Sequence, residues 1–471
     1  MNAMLPLLLA LPLCGDAYDV EAPAPRGFER ERATDRALTI VRDLIAIDTQ
    51  NPPGNEMRTA RYFEELFAGV EGVETHVVDV GRGRANFVAR LSAVDAQERP
   101  VLVMGHMDVV GARKDSWTTD PFVATEKDGY LFGRGSMDCK GPLAASAAAI
   151  LELAPHRDRL KRDVVFLATA AEEGGRVGIS WMVENRRELF GDAEFALNEG
   201  GRIRTKDGRV HTINIQTTEK LSYNVVVKGE GQSGHGSVPL PENVIAAVAR
   251  AVNRVHEWRA PLSLTDTTRL YFRRLAEIES DPAVATAMRD LLGDDAQKVR
   301  AADDVLSRDP LHNAVLRTAQ SLTMLNAGFR TNVIPSAASA NFNVRVVPGD
   351  DIRAVVAAMN EVGAEPQVTF ELQGEPKTPP PASSVETALY GAMEAAGLRM
   401  APGAKVIPFM STGATDGAAL RAIGIPTYGI LPLPMLLEDE LRMHGDDERV
   451  PIRAYGWGAE FIYRTLLAVT A

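Results

Sequence analysis

Apolar residues recur at two different spacings along the first part of the chain. Between residues 29 and 48 they return at helical intervals, and Asn51-Pro52-Pro53-Gly54 ends that pattern. Short apolar runs typical of buried strands then alternate with further helical patterns. The predicted strands cover residues 101–105, 164–169 and 195–198, and the predicted helices cover 55–67, with Asn55 as its cap, 141–153 and 180–189. This alternation predicts an α/β fold in which a mixed, mostly parallel sheet is flanked by helices.

The pattern changes after about residue 210. Apolar and polar side chains alternate in residues 221–229, 339–346 and 367–372, and helical patterns cover 241–256 and 351–362. Strand, helix, strand, helix and strand in this order predict a small α+β open sandwich. Because the first pattern resumes near Ser384, we expect this sandwich to be inserted into the first domain as a second domain.

Composition excludes some classes of partner and leaves the location open. The net charge of -12 argues against nucleic acid as a partner, because phosphate binding requires clustered Lys and Arg. Residues 4–14 are apolar but too short to span a bilayer, and Gly15-Asp16-Ala17 resembles a cleavage site. We therefore predict a signal peptide over residues 1–20 and a secreted or periplasmic protein with no membrane attachment after its removal. A mis-set start codon or a ragged N-terminal tail is the alternative, since no Lys or Arg precedes the apolar run, and the location would then be cytoplasmic.

Side chains capable of metal and proton chemistry follow three of the predicted strands. His106 and Asp108 come after the first strand, Glu172 and Glu173 after the second, and Glu199 after the third. Because the carboxyl ends of parallel strands meet at one edge of a sheet, we expect these side chains to lie close together. Imidazole and carboxylate groups are ligands that zinc prefers, so the sequence predicts a metal site at this edge.

Two further residues are candidates for the same site. Asp138 lies in a glycine-flanked turn before a helix, where it would act as a helix cap or as a carboxylate that bridges two metals. His444 lies in a loop just before the last helix, which begins at Pro451. Glu172 and Glu173 point to opposite sides of an extended backbone, so one would bind metal while the other moves protons.

Together these motifs resemble a family of di-zinc metallohydrolases. The family includes aminoacylase, carboxypeptidase S, bacterial glutamate carboxypeptidase, acetylornithine deacetylase and succinyl-diaminopimelate desuccinylase, and the resemblance runs from about residue 36 to the C-terminus. The matching segments, in order, are Gly105-His106-Met107-Asp108-Val109-Val110, Gly133-Arg134-Gly135 through Lys140-Gly141, Glu172-Glu173-Gly174, Gly234-His235-Gly236-Ser237, Asn332-Val333-Ile334-Pro335 and Thr412-Gly413-Ala414-Thr415-Asp416. The resemblance implies a zinc-exopeptidase-like catalytic domain in two parts, residues 28–213 and 377–471, around a lid or dimerisation domain at 214–376.

The resemblance also implies a role for each site residue. His106, the bridging Asp138 and Glu199 would hold one zinc ion, with Co²⁺ or Mn²⁺ as possible substitutes. Asp138, Glu173 and His444 would hold the second ion. Glu172 would be the general base for a water that bridges the metals, and Asp108 would orient His106. The peptide bond between Asp138 and Cys139 would be cis.

The predicted lid would contribute to substrate binding. In the resembled family, the residue matching His235 polarises the scissile carbonyl, and Asn332 with Arg345 resemble the groups that bind a substrate carboxylate. Arg345 could instead be a solvent-facing charge on an alternating strand. The implied substrate is a small molecule or short peptide, and a homodimer is possible. The sequence leaves open whether His235 acts in its own subunit or across that dimer.

The resulting functional prediction is an enzyme, a metal-dependent amidohydrolase of the carboxypeptidase or aminoacylase type. It would cleave N-acyl amino acids or the C-terminal residues of short peptides. The alternatives are a catalytically silent metal-binding carrier, a dipeptidase that uses the same site, and a two-metal phosphoesterase. The carrier would normally lack a ligand or the base, and the phosphoesterase would need more basic phosphate contacts. Cys139 could be a catalytic thiol, but a small buried hydrophobic residue is the simpler interpretation.

Overall fold

The structure, a computed structural model, describes residues 18, 20, 22–175 and 177–470. The predicted signal peptide therefore lies outside the described residues, apart from Tyr18 and Val20. Within the described part of the chain, no helix has both the length and the apolar character needed to cross a bilayer.

Strands and α-helices alternate along most of the chain. The strands are β1 (Gln50–Asn51), β2 (Val73–Gly81), β3 (Arg84–Leu91), β4 (Val101–His106), β5 (Val109–Val110), β6 (Thr125–Lys127), β7 (Tyr130–Phe132), β8 (Val164–Thr169), β9 (Phe195–Lys206), β10 (Arg209–Glu219), β11 (Leu221–Glu230), β12 (Gly234–His235), β13 (Ala319–Ala327), β14 (Val333–Ile334), β15 (Ala337–Val346), β16 (Val368–Gln373), β17 (Lys405–Ser411), β18 (Thr427–Met435) and β19 (Arg449–Pro451). The α-helices are α1 (Arg30–Ala46), α2 (Glu56–Phe67), α3 (Lys140–Leu153), α4 (Val177–Asn185), α5 (Val244–Glu257), α6 (Asp266–Leu275), α7 (Pro282–Asp290), α8 (Ala296–Leu306), α9 (Pro310–Leu316), α10 (Ile352–Val362), α11 (Ala388–Met400), α12 (Gly417–Ala422), α13 (Leu437–Glu440) and α14 (Ile452–Thr470).

The larger sheet has eight strands in the order β17-β10-β18-β9-β4-β8-β3-β2. Its centre is parallel, since β4 pairs in parallel with β8 and β9, and β9 pairs in parallel with β18. Strands β2 and β3 run antiparallel at one end, and β10 runs antiparallel to β9 and β18. The predicted α/β fold with a mixed sheet is confirmed.

Helices cover both faces of this sheet because its central strands are apolar on both sides. In β4, Val101 and Val103 belong to the core formed with α1, α3 and α14. The intervening Leu102 and Met104 belong to a second core with α4 and α12 on the opposite face. Successive side chains of a strand point to opposite faces, so both cores draw on the same short strand.

Three predicted details differ from the structure. Asn55 precedes α2 but makes no side-chain cap hydrogen bond, because its backbone is left-handed, at φ 91°. The strand predicted to end at Asn198 continues to Lys206, where β9 turns back into β10. The helix predicted from Ser180 begins earlier, at Val177, and is followed by a 3₁₀ turn at Arg187–Leu189.

A second, antiparallel sheet is formed by strands in the order β13-β15-β11-β16. Helices α5 and α10 pack on one of its faces, where Val225, Phe342 and Met359 are buried together. This is the small α+β layer that the alternating pattern predicts. The chain passes from the large sheet to the small one at Lys220, so the predicted boundary between residues 213 and 214 falls within β10.

Helices α6 to α9 form a cluster of their own within the predicted insert. Phe272, Met288 and Leu306 from these helices are buried with Ile407 and Met410 of β17. These four helices therefore pack against the edge strand of the large sheet.

Candidate metal centre

The carboxyl ends of β4 and β8 and the middle of β9 lie at one cavity of about 570 Å³. Because these three strands are parallel neighbours, His106 at the end of β4, the Glu172-Glu173 pair after β8 and Glu199 within β9 reach the same region of the sheet. Seven of the ten predicted site residues line this cavity: His106, Asp138, Glu172, Glu173, Glu199, Arg345 and His444.

Asp138 lies between the two imidazoles of the cavity. Its Oδ1 is 3.0 Å from Nε2 of His106, and its Oδ2 is 3.0 Å from Nε2 of His444. Nε2 of His444 is also 2.9 Å from Oε1 of Glu173. Each oxygen of one carboxylate thus faces a different histidine, which is the arrangement that a bridging ligand of two cations requires. The peptide bond between Asp138 and Cys139 is cis, as predicted.

The donor groups of the cavity fit divalent metal ions. Ligand atoms of Asp138, Glu173 and His444 lie within 4.8 Å of one another, and so do those of His106, Glu172 and Glu173. Two imidazoles and several carboxylates suit zinc and similar cations. Glu199 lies in the same cavity, but the tight clusters found among the described residues do not include it.

The charged groups at the bridge shift one another's pKa values. Burial disfavours the Asp138 carboxylate, but hydrogen bonds from His106 and His444 outweigh burial and hold its pKa well below the usual range. Hydrogen bonds to Asp138 and Glu173 raise the pKa of His444 to about 10. Without a metal, the positive charge of protonated His444 therefore balances part of the negative charge of these carboxylates.

The other two carboxylates are buried and favour the protonated form. Burial raises the pKa of Glu172 to about 9; His106 opposes this shift, while Asp416 and Glu199 add to it. Burial, together with the charge of Asp138, raises the pKa of Glu199 to about 8. A bound cation would favour their charged forms, because an opposite charge nearby lowers a carboxyl pKa.

Asp108 contacts both predicted metal-binding strand ends. Its backbone oxygen lies 3.0 Å from Nδ1 of His106, which directs Nε2 of the ring toward Asp138, while its carboxylate Oδ1 is 3.6 Å from Nδ1. The carboxylate instead accepts hydrogen bonds from the backbone N–H groups of Glu172, at 3.0 Å, and Glu173, at 3.1 Å. Asp108 thus orients His106 through its main chain and the paired glutamates through its side chain.

Asn51 is a site-supporting residue that the sequence analysis missed. Its Nδ2 donates to Oδ2 of Asp108 at 2.7 Å, and its Oδ1 accepts from Arg84 at 2.7 Å. The sequence indicated only that Asn51 begins the Pro-Pro-Gly break after the first helix. Proximity to Asp108 arises from the parallel pairing of β1 with β5, two strands of two residues each, which no periodic pattern reveals.

Arg345 lies in a basic corner of the cavity. It stands opposite Ser222 in the pairing of β11 with β15, and its Nε donates to Asn343 at 2.7 Å. Lys377, which also lines the cavity, donates from Nζ to the backbone oxygen of Ser222 at 3.2 Å. The sequence analysis missed Lys377, since it lies in an irregular segment after the last lid strand.

His235 and Asn332 do not line the cavity. They lie on an exposed two-stranded ribbon, in which His235 pairs with Val333 and Gly236 donates to the backbone oxygen of Asn332 at 2.8 Å. Nδ1 of His235 is 2.7 Å from the hydroxyl of Ser237. Within one chain, His235 and Asn332 therefore lie close together, but both lie outside the cavity that seven of the predicted site residues line.

Cys139 is fully buried beside the centre. Burial raises the pKa of its thiol well above the usual range, which keeps the group neutral. Since only the thiolate is a good nucleophile, these surroundings agree with the prediction of a small buried hydrophobic residue.

A family profile and individual relatives both match most of this chain. A family profile described as Peptidase family M20/M25/M40 matches residues 102–468. The human protein named N-fatty-acyl-amino acid synthase/hydrolase PM20D1 is 28% identical over 384 residues, 79% of this chain and 74% of the relative. A Staphylococcus aureus protein named as a probable succinyl-diaminopimelate desuccinylase is 31% identical over 317 residues, 67% of this chain and 68% of the relative.

Solved structures agree on the fold. The crystal structure of an M20 family metallo-carboxypeptidase, Sso-CP2 from Sulfolobus solfataricus, superposes with a TM-score of 0.67 at 19% identity. The match covers 92% of this chain and 99% of the other. At this identity the likeness is one of fold, and it extends over both sheets.

Proposed function

The chain belongs to peptidase family M20/M25/M40, and from this premise we propose that it is a two-zinc hydrolase of N-acyl amino acids. The family relation makes it a metal-dependent hydrolase of amide bonds. The zinc ions, the assignment of each ligand and the substrate are the proposed part. The observation that carries the proposal is the position of the Asp138 carboxylate between His106 and His444, with Glu172 in the same cavity.

We assign the ligands from the predicted roles, which the contacts of Asp138 with both histidines support. His106, Asp138 and Glu199 would hold one ion, and Asp138, Glu173 and His444 would hold the other. When bound, the ions would lower the pKa of a water molecule and polarise the substrate carbonyl. Every predicted ligand is present, which argues against a carrier that has lost catalysis.

Glu172 is the general base of the proposed reaction. It lies in the cavity but is not needed to complete either set of ligands. Its carboxylate takes a proton from water as the water oxygen attacks the amide carbon. The same proton then passes to the leaving nitrogen as the C–N bond breaks, which releases a carboxylic acid and an amine. The backbone bonds from Glu172 and Glu173 to Asp108 fix this carboxylate against the neighbouring ligand.

The basic corner favours a substrate that has a free carboxylate. Arg345 offers parallel N–H donors to a carboxylate, and Lys377 adds a second positive charge in the same corner. The carboxylates of the proposed metal centre line the same cavity. An amino acid whose nitrogen carries the scissile acyl group would therefore place its carboxylate near Arg345 and its amide near Glu172.

The names of the relatives favour the same class of bond. One is named for N-fatty-acyl amino acids and another for a succinylated amino acid. A panel of N-acyl amino acids and dipeptides, assayed with zinc, cobalt and manganese, tests the proposal. We expect hydrolysis of N-acyl amino acids with zinc bound. Hydrolysis of dipeptides alone would support the dipeptidase alternative, and no amide hydrolysis with any metal would contradict the proposal.

We further propose that two copies of the chain associate and that His235 acts across the interface. His235 and Asn332 are exposed and lie outside their own chain's cavity. Strand β13, at the edge of the lid sheet, exposes Leu322, Met324 and Leu325. An exposed apolar edge strand favours pairing with another chain.

Mixed variants test this arrangement. We expect His235→Ala and Glu172→Gln each to be nearly inactive, and a mixture of the two to regain activity as hybrid dimers form. Light scattering of each sample reports the oligomeric state. If the mixture remains inactive although hybrid dimers are present, His235 acts within its own subunit. A fully active His235→Ala variant would show that His235 has no part in the reaction.

A further inference from the structure

A buried ion pair joins the two loops that carry Asp138 and His444. The side chains of Arg134 and Glu448 are 2% and 1% exposed, and Nη1 of Arg134 donates to Oε2 of Glu448 at 2.5 Å. The antiparallel pairing of β7 with β19 brings them together, since Arg134 follows β7 and Glu448 precedes β19. Burying a charge is costly unless it is paired and hydrogen-bonded, so two such groups in this position call for an explanation beyond packing.

Glu448 holds the loop that delivers Asp138. Its Oε1 accepts the backbone N–H of Met137 at 2.7 Å and that of Asp138 at 3.2 Å. Its Oε2 accepts the N–H of Gly135 at 3.2 Å as well as the Arg134 guanidinium. Both oxygens of one buried carboxylate are thus used to fix the backbone of the proposed bridging residue.

Arg134 holds the loop that delivers His444. Its Nη2 donates to the backbone oxygen of Gly445 at 2.8 Å and reaches that of His444 at 3.4 Å. The guanidinium carbon lies 5.1 Å from the centre of the Trp117 ring, which supports the plane of the group from one side. A planar guanidinium can bind a carboxylate and a carbonyl at once, which a lysine ammonium at this place would do less well.

We propose that Arg134 and Glu448 are positioning residues that set the spacing between Asp138 and His444, and so the affinity of the metal position that those two residues form with Glu173. The inference rests on the proposed two-metal function. Neither residue lines the cavity, so both act through the loops they hold. Loss of either would let His444 drift from Asp138, while His106 would keep its own place at the end of β4.

Metal affinity, measured apart from activity, tests the inference. Zinc binding would be titrated by competition with a chelator in the wild-type protein and in Glu448→Gln, Arg134→Met and Arg134→Lys. We expect the wild type to bind two equivalents. In Glu448→Gln and Arg134→Met, one equivalent should bind about 10- to 100-fold more weakly, the range found when groups that orient metal ligands are removed. Arg134→Lys should lose less zinc affinity. This variant still tests the inference if the other two variants fail to fold.

Glu460→Gln is the matched control. Glu460 is also fully buried and paired with arginines, Arg30 and Arg464, but it lies on the terminal helix away from the cavity. This variant should lower the melting temperature without weakening either zinc equivalent. Unchanged zinc affinity in Glu448→Gln, or an equal loss in Glu460→Gln, would overturn the positioning role. A wild-type protein that binds fewer than two equivalents would instead reject the two-metal proposal, and the inference with it.

Discussion

The side chain of Asp108 accepts the backbone N–H of Glu172 at 3.0 Å, so a residue after one strand fixes the turn that follows the neighbouring strand. The other oxygen of Asp108 binds the N–H of Glu173 in the same way. A single carboxylate therefore fixes the backbone of both the proposed general base and the proposed metal ligand. The proposed mechanism requires this spacing, because Glu172 would have to reach a water molecule beside the proposed ligand Glu173.

Asp108→Asn should disrupt this spacing. Asparagine offers one acceptor oxygen where aspartate offers two, so one of the two backbone N–H groups loses its partner. An unsatisfied buried polar group costs about 1–3 kcal/mol in folding free energy. We expect a lower melting temperature together with weaker zinc binding. Asp79→Asn, at an exposed turn where Asp79 binds the N–H of Gly81, is the control and should change neither quantity.

Glu172→Gln should separate binding from chemistry. The variant keeps the size of the side chain but cannot take a proton, so we expect kcat to fall about 10²–10⁴-fold. Zinc content, measured by atomic absorption, should remain at two equivalents, since Glu172 completes neither set of proposed ligands. A rate equal to that of the wild type would remove Glu172 from the mechanism.

Arg345→Met should weaken the binding of substrates that carry a free carboxylate. We expect KM for an N-acyl amino acid to rise by about tenfold or more, because a charge-assisted pair contributes about 1.5–3 kcal/mol. The KM for the corresponding N-acyl amino acid amide, which has no free carboxylate, should be nearly unchanged. Lys228→Met, which removes an exposed ion pair with Glu371 on the same sheet, is the control. An equal rise in KM for both substrates would show that Arg345 supports the structure of the lid and does not bind the substrate carboxylate.

Zinc binding should release protons near neutral pH. The pKa of His444 is raised to about 10 by Asp138 and Glu173, so the metal-free protein carries a proton there at pH 7. A metal ion must displace this proton, and zinc affinity should therefore rise with pH up to about 10 and fall on acidification. Calorimetry in buffers of different ionisation enthalpy counts the protons released. The absence of proton release at pH 7 would contradict His444 as a ligand.

Much of the fold follows from sequence periodicity. The apolar runs that become β4 and β8 are bounded by polar residues and glycine. Runs of this kind are typical of strands buried in a parallel sheet. Because His106 and the Glu172-Glu173 pair lie directly at the ends of these strands, their convergence could be predicted from strand order alone. Asp138 and His444 could be named as candidates from the sequence, but their roles required the resemblance to a known family, since both lie on loops whose path no periodic pattern determines.

The parts that sequence could not supply are long-range contacts between irregular segments. Asn51 and Asp108 are brought together by strands of two residues each, and Arg134 and Glu448 are 314 positions apart in the chain. A buried carboxylate that binds backbone N–H groups leaves no sequence signal of its own. Lys377 likewise has no sequence signal, because it reaches the cavity from an irregular segment after β16.

Crystals of the zinc-loaded protein, measured on both sides of the zinc absorption edge, test the central claim most directly. The account predicts two anomalous peaks about 3.5–4 Å apart, with one oxygen of Asp138 at each, His106 beside one peak and His444 beside the other. A single peak, or a pair of peaks whose ligands do not include Asp138, would contradict it.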